Sequence, residues 1–292
     1  MKKIIIIYFI LSLLGKLSFS QSYIVVDSLT KEPIPYATIK FKKSPKGFYA
    51  NGKGYFSLNE KVNDTLQISC LGYESVYETI NSLKDTIILI PKPIKLDEVV
   101  INKGKKKKEI LGLKRKKGNF HINPNFQIAL LIKPSEKFAN KQIENIIIPI
   151  NKKSLLKKQG KTFKSVFKIN IYRNDSGLPK HPMLEKPIDI FVTHNSKNSI
   201  TVDFSEELID FSKEGIFICI EMIGEINEKE EVINSINPRP SFVFTNKEIK
   251  DIFSKSYFKT KFSNEWKPMS TKTFHLEEEI FLAIGLTLSS YD

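Results

Sequence analysis

The chain has 292 residues, 46 Lys and Arg against 32 Asp and Glu, and a formal net charge of +14. Hydrophobic residues make up 41%, enough to fill a core, which excludes a disordered polyelectrolyte. Two cysteines, Cys70 and Cys219, exclude a small scaffold stapled by disulfides.

The first twenty residues predict an export signal. Lys2-Lys3 is a basic start, Ile4 to Leu14 is an apolar run, and Ser18-Phe19-Ser20 places small residues before Gln21. The apolar run is short for a membrane span of ~20 residues. No cysteine follows it, so a lipoprotein anchor is not expected, and no later stretch is long and apolar enough to span as a helix. Loss of residues 1–20 removes Lys2, Lys3 and Lys16 and lowers the net charge from +14 to +11. Basic balance alone could attract nucleic acid, but export excludes that partner.

Residues 21–91 predict short strands separated by turns. Ser22 to Val26 is rich in β-formers. Thr30-Lys31-Glu32-Pro33 is a polar turn ending in a residue with no N–H. Tyr36 to Phe41 alternates, with Ala37, Ile39 and Phe41 on one face. Asn51-Gly52-Lys53-Gly54 is a turn, and Tyr55-Phe56-Ser57-Leu58 alternates again. Leu66, Ile68 and Cys70 share a face, Tyr73 to Ile80 predicts a further strand, and Asp85 to Ile90 closes the set. Such spacing predicts a β-sandwich.

Three stretches in order carry a resemblance: Pro33-Ile34-Pro35-Tyr36-Ala37-Thr38-Ile39, Asn51-Gly52-Lys53-Gly54-Tyr55-Phe56-Ser57-Leu58, and Ile68-Ser69-Cys70-Leu71-Gly72-Tyr73-Glu74. Together they resemble the carboxypeptidase-regulatory-like domain, a transthyretin-like Greek-key sandwich found at the N-termini of outer-membrane and surface proteins of certain Gram-negative bacteria. Leu96-Asp97-Glu98-Val99-Val100-Ile101 resembles the segment after this domain in TonB-dependent receptors. Only 191 residues follow Ile101, with a different pattern, so the resemblance does not imply a receptor barrel.

Residues 92–119 are expected to form a basic linker. From Asn102 to Asn119 there are nine basic residues and one acid, and like charges so close favour an extended tether. Gly104, Gly112 and Gly118 argue against a basic helix. Lys105, Lys106, Lys107, Lys108, Lys114, Arg115, Lys116 and Lys117 are the candidates for contact with an anionic membrane surface or glycan. The competing reading is a solvated tether.

Residues 120–292 predict a second, jelly-roll-like sandwich, so the fold class is all-β with two β-sandwich domains. Strands are expected at Gln127–Ile132, Ile143–Ile150, Phe163–Arg173, Ile188–Thr193, Ser199–Phe204, Ser241–Thr245 and Ala283–Leu288. Phe163, Phe167, Ile169 and Ile171 share one face. Gly215 to Ile223 is nearly all apolar and fits a central strand. Asn174 to Pro179 predicts a loop, and Leu208–Phe211 and Lys247–Phe253 have a helical flavour. Phe167 to Arg173, Gly177-Leu178-Pro179 and Val202 to Ser205 resemble the sandwich tail that accompanies this N-terminal module in surface proteins.

Signals for catalysis are weak, and no cofactor is expected. His275-Leu276-Glu277-Glu278 has the His-x-x-Glu spacing of zinc carboxypeptidases, but no histidine follows it and there is no room for the large α/β domain such chemistry uses. His181 and His194 flank a strand near Glu185 and Asp189 in a spacing that fits no metal pattern. Glu228 to Glu231 and Glu277 to Glu279 lack the alternation of a calcium loop. No nucleophile elbow or phosphate-cradling loop is present. Cys70 and Cys219 alternate with apolar neighbours and are expected to be buried free thiols. Among the aromatics, Trp266 and Tyr257 are the candidates for stacking on a ligand, Trp266 because it sits in a polar loop. The expectation is therefore a non-enzymatic binding or structural protein of the periplasm, outer membrane or cell surface, with a glycan or another envelope protein as partner. An accessory of outer-membrane nutrient uptake, working with a TonB-dependent receptor, is the alternative.

Overall fold

The computed structural model describes residues 21–58, 63–92, 106–112, 118–124, 126–153, 160, 162–233, 235, 238–246, 250–260, 263, 265–269 and 279–291. The expected export signal and Leu96–Ile101 lie outside the described residues, as do Lys105 and Lys114 to Lys117.

The first module has seven strands: β1 (Gln21–Asp27), β2 (Thr38–Phe41), β3 (Gly47–Tyr49), β4 (Tyr55–Leu58), β5 (Thr65–Ser69), β6 (Val76–Thr79) and β7 (Thr86–Leu89). They form a three-stranded sheet, β4-β1-β7, and a four-stranded sheet, β3-β2-β5-β6. Period-2 alternation turns Val25, Ile87 and Phe56 of one sheet toward Ile39, Leu66 and Ile68 of the other, and all six are buried. Phe48 and Phe56 meet across the layers at 5.8 Å. Burying each such side chain contributes about 1.5–3 kcal/mol.

The second sandwich contains β8 (Lys106–Gly112), β9 (Gly118–Phe120), β10 (Phe126–Pro134), β11 (Gln142–Asn151), β12 (Lys164–Asp175), β13 (Leu178–Pro182), β14 (Ile188–Thr193) and β15 (Ser199–Asp203). It continues with β16 (Ile209–Asp210), β17 (Ile216–Ile226), β18 (Val232–Ile233), β19 (Ser241–Thr245), β20 (Ile252–Thr260), β21 (Lys267–Pro268), β22 (Phe281–Leu282) and β23 (Gly285–Tyr291). One eight-stranded sheet runs β13-β12-β17-β10-β20-β21, with β14 on β12 and β18 on β17. The other runs β22-β19-β11-β23-β8, with β15 and β16 on β11 and β9 on β19. The two sheets face each other across one apolar core, where Phe167 of β12 meets Phe242 of β19 edge-on at 5.4 Å.

Three expectations are corrected. The basic linker is in part a strand: β8 pairs antiparallel with β23 from Lys106↔Tyr291 to Gly112↔Gly285. A buried carboxylate outweighs the charge repulsion, because Glu144 receives Lys106 at 2.6 Å and Lys108 at 3.2 Å. Those two lysines, named as anionic-surface contacts, therefore have an internal partner, while Lys107 between them is exposed. The helical flavour at Leu208–Phe211 becomes β16, and Lys247–Phe253 runs into β20 (Lys247 to Ile249 lie outside the described residues). Such short segments cannot bear the cost of helix nucleation. The Asn174–Pro179 loop is a tight hairpin, with Asp175↔Leu178 already paired. Among the described residues the only helical turn is the 3₁₀ segment Ile80–Ser82, and no helix is long and apolar enough to cross a membrane.

Candidate functional site between the two sandwiches

The eight-stranded sheet that contains β12 and β17 has an outer face, and the first module sits on part of it. Along β12, Phe167, Ile169 and Ile171 enter the core, so Val166, Lys168, Asn170 and Tyr172 point outward. Register extends this outward set into rows. Asp189, Lys168, Glu221, Gln127 and Lys259 stand side by side on five neighbouring strands. The next row is Asn170, Cys219, Ala129 and Tyr257. The row beyond is Pro182, Tyr172, Phe217, Leu131 and Lys255.

The first row mixes charge and anchors the module. Glu221 accepts a hydrogen bond from Tyr49 Oη at 2.9 Å and from Gln127 Nε2 at 2.7 Å. Lys168 Nζ lies 3.8 Å from Asp189 Oδ1, 3.5 Å from the Pro35 carbonyl oxygen, and over the Tyr36 ring at 5.9 Å. Tyr36 and Tyr49 stand on the module's outside, yet they are buried in a small cluster with Val166, Ile223 and Ile226. Gly72 closes the approach. A Cβ there would stand 2.4 Å from the Glu185 carbonyl oxygen, and its φ of +85° suits glycine.

Between these contacts lies a cleft of about 810 Å³, within the size range of small-ligand sites. The module supplies Thr38, Cys70, Tyr73 and Lys92, and the sandwich supplies Asn170, Tyr172, Arg173, Lys180 and Cys219. Five cations line it, Lys92, Lys168, Arg173, Lys180 and Lys259, against the single carboxylate of Glu221. Asn170 is only 4% exposed, and neither its amide nitrogen nor its amide oxygen has a hydrogen-bond partner. A buried polar group without a partner costs about 1–3 kcal/mol. Ser165, elsewhere on β12, likewise has an unpartnered buried hydroxyl.

Protonation in the cleft runs toward neutral forms. Burial, then the charges of Asp189 and Glu230, pushes the Tyr36 phenol up to about 12. Burial raises Tyr172 and the Cys219 thiol well above their ordinary values. Burial also raises Asp189, with Glu221 adding to the shift and Lys168 opposing it. Cys70 and Cys219 both line the cleft as free cysteines, Cys219 buried and Cys70 half-buried.

Trp266 and Tyr257 do share one patch. Both pack against Ala129, Leu131, Phe217 and Cys219 on the outer face. Tyr257 meets Phe217 edge-on at 5.7 Å, and Lys259 Nζ lies 4.6 Å from the centre of the Trp266 ring. Each ring is half-buried, so Trp266 is less open than its polar loop predicts. The histidines do not converge. His181 Nδ1 pairs with Asp175, and the His194 carbonyl oxygen accepts from Lys152 Nζ at 2.9 Å. Among the described residues no three His, Cys, Asp or Glu side chains are placed to hold a metal ion. His275, Glu277 and Glu278 lie outside the described residues.

Residues 24–101 match the CarboxypepD_reg-like domain. The match runs past Pro91 and takes in Leu96–Ile101. Among curated proteins, none matches this chain. The CarboxypepD_reg-like module therefore contributes Tyr36, Cys70, Gly72 and Tyr73 to a cleft whose other wall lies outside the matched stretch. Sequence reading missed Lys168, Asn170 and Glu221 because a polar residue alternating with core residues reads as solvent-facing. Glu221, the one charged residue between Gly215 and Ile223, was the signal that this face is covered.

Proposed function

We propose that this chain is an exported, non-enzymatic binding protein of the bacterial cell envelope, acting in the periplasm or at the outer membrane. Its ligand is a glycan or another envelope protein, received in the cleft between the CarboxypepD_reg-like module and the second sandwich. The observation that carries this reading is the cleft itself, about 810 Å³ between two domains, to which the module brings Lys92 and the second sandwich Lys180. A concave site of this size with a few charged and polar groups among apolar ones is where ligands bind. Cys219, a thiol held neutral by burial, is a poor nucleophile. The basic and apolar start of the chain supports export. Titration calorimetry of the full chain against outer-membrane glycan and protein fractions tests the reading. Heat of binding that disappears in Lys180→Glu supports it; equal heats in both proteins, or none in either, overturn it.

A second reading is an accessory of nutrient uptake that works with a TonB-dependent receptor. It is favoured by the placement of Leu96–Ile101 inside the matched stretch. Recovery of a membrane barrel crosslinked to the chain in whole cells, lost on deletion of residues 96–101, is its expected outcome.

A further inference from the structure

We infer that Lys168 and Asp189 join covalently, through an amide between Nζ and the side-chain carboxyl carbon that forms within the folded chain. Register places the two residues opposite each other on β12 and β14, with Glu221 of β17 opposite Lys168 on its other side. An amine therefore stands between two carboxyl groups in one row. Lys168 is 7% exposed, and its Nζ lies 3.8 Å from Asp189 Oδ1. The first module covers it with the Pro35 carbonyl oxygen at 3.5 Å and the Tyr36 ring at 5.9 Å. As an ion pair the arrangement is poor. A separation of 3.8 Å is too long for a hydrogen bond, and Asp189 Oδ1 is sealed from solvent with no hydrogen-bond partner. Charges taken out of water need close, fully bonded geometry to recover the cost. Burial already favours the uncharged carboxyl of Asp189.

The amide removes both charges. Strand pairing holds the amine beside the carboxyl, so the reaction has the advantage of fixed reactants. The Lys168 ammonium passes one proton to the Asp189 carboxylate. The neutral amine then attacks the carboxyl carbon, the C–N bond forms and the C–OH bond breaks. The second nitrogen proton leaves with the hydroxyl as water, carried across by Glu221, which Tyr49 and Gln127 hold in place. One ammonium and one carboxylate become one amide and one water, with no oxidant and no cofactor. The Asp189 side chain as a whole is 29% exposed, which gives the water an exit. The link fastens β14, whose strand partner is β12, at the place where Phe191 of β14 meets Tyr36 of the module at 6.4 Å.

The test is a tryptic digest of the purified full chain, read by mass spectrometry. Trypsin does not cleave at an acylated lysine, so linked protein yields Ser165–Arg173 joined to His181–Lys197 as one branched peptide, one water lighter than the two together. Lys168→Met is expected to give linear peptides alone. Asp189→Asn is expected to give a branched peptide of the same mass, because the same amide forms with loss of ammonia. Glu221→Gln, followed in freshly refolded chain, is expected to link about a hundredfold more slowly, the usual worth of a positioned proton carrier. Release of Ser165–Lys168 and Ile169–Arg173 as separate peptides from the folded parent overturns the inference. So does linking in Glu221→Gln at the parent's rate, or a water loss that maps to any other pair of residues. None of these outcomes depends on what the cleft binds.

Discussion

Arg239 is one of three arginines in the chain, and it is 4% exposed. Its guanidinium reaches Glu225 at 3.3 Å, donates to the Gly160 and Thr162 carbonyl oxygens, and lies 4.7 Å from the centre of the Phe163 ring. Removing one partner strands a buried charge, so Arg239→Ala is expected to cost about 3–5 kcal/mol in urea unfolding. Glu144 makes a different kind of residue-level demand. Burial opposes its charge, but hydrogen bonds from Lys106, Ser289 and Lys108 outweigh that and hold the carboxyl below its ordinary 4.5. A lowered folded value means the stabilisation is present above 4.5 and is lost as pH falls through the folded value. Melting temperatures of Glu144→Gln and the parent should therefore differ at neutral pH and converge in acid. Cys219 is expected to resist a thiol reagent until the chain unfolds, while half-buried Cys70 reacts first.

At the scale of elements, β8 is the strand that composition hides. It lies at the edge of its sheet, and its lysines read as a tether because repulsion is local while Glu144 and β23 are far away in sequence. Edge strands expose unpaired backbone groups, and lysine there discourages pairing with other chains. Replacing Lys106, Lys107 and Lys108 together by Val should raise thioflavin-positive aggregation at equal protein concentration. The strands β10, β11, β12, β17 and β19 were legible because apolar alternation or an apolar run marks them. By contrast β20 was not, since Ser254 and Ser256 occupy buried, core-facing positions and break the pattern. Half of the candidate site was legible in the same sense. The aromatic patch of Trp266 and Tyr257 follows from residue type, whereas the cleft depends on which face a second domain covers, and no local pattern encodes that.

For the whole molecule, the junction rests on a few close contacts. Gly72→Ala would drive a methyl into the Glu185 carbonyl at a left-handed φ, so it should open the angle between the domains, seen as a larger radius of gyration in solution scattering. Tyr49→Phe removes the hydrogen bond to Glu221 and should lower stability by about 1.5–3 kcal/mol without unfolding either sandwich. One pairing reaches furthest along the chain: Lys106 with Tyr291. Every strand partner of the first module lies between Gln21 and Leu89, whereas the second sandwich cannot complete its β8-containing sheet until residue 291 is present. Contacts so distant in sequence are slow to form. The molecule therefore matures from one end: the first module can close on its own pairings while the second sandwich still waits for its last strand to meet β8.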